Sequence, residues 1–128
     1  MSERNKGRME ETIRQMVASL LLRKVKDPRV TDVSILRVEA SRDYSVAKIY
    51  FNLIGGSEPE RVAEAEKGLA SSRGYMRMHI KKHIRLRVIP ELVFIFDSSL
   101  DGAMHLKEII DNIHSDEAGE DAEGEEQG

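Results

Sequence analysis

Residues 67–90 read KGLASSRGYMRMHIKKHIRLRVIP, and the way this stretch divides decides the fold. It holds seven bases (Lys67, Arg73, Arg77, Lys81, Lys82, Arg85, Arg87) and no acid, whereas elsewhere acids and bases are interspersed. A helical pattern is interrupted at Ser71-Ser72-Arg73-Gly74 and resumes through Tyr75-Met76-Arg77-Met78-His79-Ile80-Lys81-Lys82-His83-Ile84. It gives way to the strand-like Arg85-Leu86-Arg87-Val88. In the second limb Met76, Ile80 and Ile84 repeat at four, one buried stripe. A glycine break that opens a basic helix would present backbone amides and cations together to a phosphate chain.

Working outward, Val62, Ala65 or Glu66, and Leu69 mark a preceding helical limb. Its entry is Ser57-Glu58-Pro59-Glu60, with an early proline and early acids. Upstream, Val33 and Ile35 and their neighbours to Ala40, then Ala47, Ile49, Phe51 and Leu53, predict two strands. The turn Ser41-Arg42-Asp43 makes them an antiparallel hairpin. Met9, Ile13, Met16, Val17, Leu20 and Leu21 give residues 5–24 the face of an amphipathic helix, which Asp27-Pro28 terminates. Downstream, a third strand is expected over residues 86–96, with Pro90 imposing an edge position or a bulge. Leu106, Ile109, Ile110 and Ile113 suggest a short helix at about 103–114. The order is α-β-β-α-(kink)-α-β, an α+β fold with a three-stranded sheet covered by helices on one face.

The chain of 128 residues suits one domain, expected over 1–114. Its 40% hydrophobic and 34% charged composition is that of a globular protein. With no cysteine, disulfides and thiolate metal sites are excluded. No apolar run has the length of a signal peptide or a membrane span, so a cytoplasmic protein is expected, with no membrane partner. Residues 115–128 carry seven acids and no base, a composition expected to be disordered. The chain's 23 acids less these seven leave 16 against 20 bases, so the net charge of −3 hides a folded part near +4. The tail either serves solubility or competes with phosphates for the basic surface.

Three constellations bear on chemistry. Arg77 and Lys81 flank the stripe centred on Ile80, projecting from one side as a phosphate-tracking ridge would; the alternative is a solvated basic helix. Gly74 is either a helix C-cap before a new helix or part of a Ser-x-Gly element that allows close backbone approach, as the Gly-x-x-Gly loop of K-homology domains does. His79 and His83 have the i, i+4 spacing of a helical zinc site, but Ile80 stands where a metalloprotease needs glutamate and a third ligand is not evident. Asp97 at a strand end reads as a cap. No catalytic constellation emerges, and neither a metal nor a cofactor is expected. With three phenylalanines, three tyrosines and no tryptophan, shape and phosphates are a better basis for RNA recognition than base stacking.

Several separated segments, in order, resemble ribosome-binding factor A, a bacterial assembly factor of the small ribosomal subunit. They are the first helix leading into Lys26-Asp27-Pro28-Arg29-Val30, then Ser41-Arg42-Asp43-Tyr44-Ser45-Val46-Ala47-Lys48-Ile49-Tyr50, then Arg73-Gly74-Tyr75-Met76-Arg77. Residues 85–99, from Arg85-Leu86-Arg87 to Phe96-Asp97-Ser98-Ser99, complete the set. The resemblance implies a type II K-homology domain whose Ala-x-Gly kink falls here on Ser72-Arg73-Gly74, with serine in place of alanine. It also implies binding to the 30S subunit and precursor 16S rRNA, late rRNA maturation, support of growth in the cold, and no catalysis.

The expected RNA-binding set is therefore Ser72, Arg73, Gly74, Arg77, Lys81, Lys82, Arg85 and Arg87, on a monomer, with Lys24, Lys26 and Arg29 as a second contact. Two rivals are an interaction adaptor with an incidental basic patch and a small metal-dependent hydrolase using His79, His83 and Asp97.

Overall fold

A computed structural model describes residues 3–99, with side chains from residue 5. The helix and tail expected beyond residue 99 lie outside the described residues. Helix α1 (Glu3–Arg23) leads through a 3-10 turn (Pro28–Val30) into strands β1 (Val33–Ala40) and β2 (Val46–Leu53). Helix α2 (Pro59–His83) and strand β3 (Glu91–Phe96) follow. The sheet order is β1-β2-β3, with β1 antiparallel to β2 and β3 parallel to β2. The parallel pairing requires a crossover, which α2 provides.

Period-two alternation places Ala47, Ile49, Phe51 and Leu53 on one buried face of β2. In β1 the parity changes: Ile35 and Val38 are both buried, because a register shift between Ile35 and Arg37 inserts Leu36 as a bulge. Leu92 and Phe94 continue the same layer on β3 beside Ala47 and Ile49. Against it pack Ile13, Val17 and Leu20 of α1, and Ala65, Leu69, Met76 and Ile80 of α2. Both helices thus cover one sheet face, as expected. Glu10 Oε2 ties α1 to the sheet by accepting from the Ala40 amide at 2.8 Å.

Two expectations change. The helix does not break at Ser71-Ser72-Arg73-Gly74: α2 is one helix of 25 residues. Ser72 sits in the buried stripe between Leu69 and Met76, only 9% exposed, and its hydroxyl donates to the Gly68 carbonyl at 3.0 Å. Ser71 does the same to Lys67. A serine that back-bonds within the helix can fill a core position, so the apolar stripe continues through it. Gly74 has no left-handed φ, and a Cβ there would meet nothing within 4 Å. The glycine that does permit a close approach is Gly68, where a Cβ would lie 2.7 Å from Val30 Cγ1. The third strand is also shorter than expected, beginning at Glu91. Pro90 precedes it, lacking the amide a ladder needs, and β3 is an edge strand.

Candidate nucleic-acid interface

The C-terminal end of α2 and the connection to β3 enclose an open groove of about 840 Å³. Lys81, Lys82, His83, Ile84, Arg85, Leu86, Arg87 and Ile89 line it. Helix geometry supplies Lys81, Lys82 and His83 from the last turn, where cations also favour the helix dipole. The connection supplies Arg85 and Arg87. No acid lines the groove, and Lys81, Lys82, Arg85 and Arg87 enter no ion pair among the described residues.

Arg77 shapes the groove from behind. Its Nε donates to the Pro90 carbonyl and one terminal nitrogen to the Ile89 carbonyl, both at 3.0 Å. One guanidinium thus satisfies two carbonyls of the irregular segment 84–90, which has no sheet or helix to pair them. The residue expected to track phosphates is thus bonded to the backbone of the connection that also carries Arg85 and Arg87.

The other expected residues separate. Ser72 is buried and cannot meet a ligand. Because α2 is continuous, the amide of Gly74 lies inside the helix ladder, and the expected helix N-terminus does not exist there. Arg73 lies ten residues before His83, about 15 Å along the helix. Lys24 joins the α2 cluster, since its charge acts on His79 together with those of Lys82 and His83. Burial first, and then these neighbouring charges, lower the His79 pKa below its usual value of 6.5. Lys26 is exposed. Arg29 is tied to the Asp27 carboxylate at 2.7 Å, which holds that carboxyl below its usual range.

The surface also aligns rings that sequence reading passed over. His79 and His83 stack with centroids 4.2 Å apart and 23° between planes. Tyr75, 45% exposed, adjoins His79 at 6.3 Å. The i, i+4 spacing of three ring-bearing residues was the available signal; at His79 and His83 it reads as a metal spacing or, more simply, as two surface imidazoles beside a basic patch, and Tyr75 goes unnoticed. Among the described residues no three His, Cys, Asp or Glu side chains are grouped to hold a metal. Asp97 points from the other face of the sheet, bonded to Arg37 at 2.7 Å, which also lies over the Tyr50 ring. The three residues of the hydrolase alternative are therefore not brought together. No helix among the described residues is long and apolar enough to cross a membrane.

Fold and site define a class: a small α+β protein that presents a polycationic groove at the end of its long helix. The family described as ribosome-binding factor A matches residues 5–110, and the chain belongs to that family. Among its relatives, the ribosome-binding factor A of Desulforamulus reducens is 42% identical over 111 residues, covering 87% of this chain and 91% of that protein. The solution structure of a Thermotoga maritima protein, described as a candidate ribosome binding factor A, superposes with a TM-score of 0.63. It is 31% identical and covers 74% of this chain and 89% of that one. A Thermus thermophilus ribosome binding factor A, fitted into the map of a complex with the 30S subunit, is similar in fold at a TM-score of 0.58. It is 21% identical, with 73% and 97% of the two chains covered.

Proposed function

We propose that this protein is a non-catalytic assembly factor that binds the small ribosomal subunit through its rRNA and assists late maturation of 16S rRNA. The observation that carries the reading is the groove of Lys81, Lys82, Arg85 and Arg87, without an ion pair or a lining acid among the described residues, on a chain of the ribosome-binding factor A family. The 30S complex of the Thermus thermophilus relative supports the choice of partner. In this reading the protein acts as a cytoplasmic monomer of K-homology type, serves growth in the cold, and needs no cofactor. Lys24 adds to the contact from α1, and Arg73 extends it along α2.

Phosphate contacts release counterions, so binding should weaken steeply with salt. Sedimentation of purified small subunits with the protein, at increasing salt, tests the reading. Co-migration at low salt that is lost at high salt is expected, with Arg85→Gln and Arg87→Gln each flattening the log–log slope by roughly 0.7 to 0.9. Salt-insensitive co-migration, unchanged in both variants, would instead favour the adaptor alternative.

A further inference from the structure

The groove and the ring column meet at His83. One face of its imidazole is covered by His79 at a centroid distance of 4.2 Å, and the residue itself is exposed and lines the groove. No other ring among the described residues is paired with it. The column Tyr75–His79–His83 thus ends on a π surface at a cationic basin. Its neighbours hold it in place: the His83 Nδ1 and the His79 carbonyl lie 3.0 Å apart, fixing the ring along the helix axis.

We propose that this groove takes an unpaired nucleotide of RNA, its base stacked on His83 as the next member of the column and its flanking phosphates on Lys82, Arg85 and Arg87. The inference rests on the RNA-binding reading above and adds that the ligand is single-stranded at this point. A duplex offers this groove phosphates but no free base face. An unpaired nucleotide offers both, at the separation of a base from its own backbone. The low count of aromatics is no obstacle, because one base needs one exposed ring and the column is already ordered. His79, its pKa lowered by burial and then by His83, Lys82 and Lys24, supports the stack as a neutral ring.

The test uses the full chain, a short oligoadenylate, and an RNA hairpin duplex of equal charge with a minimal loop. His83 is exposed, so His83→Ala and His83→Phe should both fold, which circular dichroism checks. His83→Ala is expected to weaken oligoadenylate binding by roughly 5- to 100-fold, the range for one base–ring stack, and to leave duplex binding and the salt slope unchanged. His83→Phe, which keeps a ring but no charge or hydrogen bond, should restore most of the affinity. Arg87→Gln should weaken both RNAs. If His83→Ala binds oligoadenylate as tightly as the parent while Arg87→Gln does not, the base-stacking site is overturned and the RNA-binding reading stands. If Arg87→Gln and Lys82→Gln are also without effect on either RNA, the reading itself fails.

Discussion

Arg77 and Lys81 stand one helical turn apart, yet their replacement should have different effects. Lys81 is exposed and has no ion pair among the described residues, so Lys81→Glu should change stability by no more than about 0.5 kcal/mol while weakening RNA binding. Arg77→Ala removes the donors to the Ile89 and Pro90 carbonyls and should cost about 2 kcal/mol. Urea denaturation separates the two outcomes. The glycines form a second contrast. Gly68→Ala drives a Cβ to 2.7 Å from the Val30 side chain, which is itself buried, and should cost about 1–3 kcal/mol of overpacking. Gly74→Ala, in an open helical position, should stabilise by up to about 1 kcal/mol. Equal destabilisation at both glycines would mean that α2 is kinked at Gly74 after all. His79 supplies a pH dependence. Its folded pKa is depressed, so the unfolded chain binds the proton more tightly. The contribution to stability is complete above the usual value near 6.5 and is lost as pH falls through the lower folded value. His79→Gln should lose less stability than the parent between neutral pH and mildly acidic pH. Parallel melting curves of parent and variant over that interval check it.

At the scale of elements, the sequence made some features legible and hid others, for identifiable reasons. The alternation Ala47, Ile49, Phe51, Leu53 has one reading, and β2 follows it residue by residue. So does α1, where the apolar spacing is uninterrupted, whereas β1 departs from strict alternation at the Leu36 bulge. In α2 two signals conflicted: helical spacing on both sides of 71–74 argued for continuity, and Ser-Ser-x-Gly argued against it. Propensity lost because Ser72 satisfies its hydroxyl internally, and a core position need only be small and satisfied. The segment 86–90 was misread as strand because Leu86 and Val88 alternate with arginines, the pattern of an edge strand. What it lacks is a partner, and Arg77 takes the place of a ladder. The groove was therefore half legible: its cations were visible as a charge run and its rings as an i, i+4 spacing, but the bonds of Arg77 to the Ile89 and Pro90 carbonyls depend on three-dimensional neighbours. Amide exchange should report the continuity of α2. Protection is expected to run unbroken across residues 71–77, and a fast-exchanging gap at 73–75 would restore the two-limb helix.

At the scale of the whole molecule, the sheet joins elements of very different reach. β1 and β2 meet through a turn that Asp43 organises, accepting from Ser41 and Ser45 hydroxyls and the Ser45 amide. β3 reaches β2 only across the whole of α2. Closing the longer loop costs more entropy, so the hairpin with α1 should form ahead of β3. Asp43→Ala is then expected to slow refolding, and Arg77→Ala chiefly to speed unfolding; stopped-flow chevrons measure both. The hanging of segment 84–90 on Arg77 has a consequence for a chain still leaving the site of its synthesis. Such a chain already carries every cation of the basic run, but the basin acquires walls only when β3 docks and the guanidinium captures its two carbonyls. Order of assembly would then decide when the proposed site exists: its cations come with the sequence, its shape with the docking of β3.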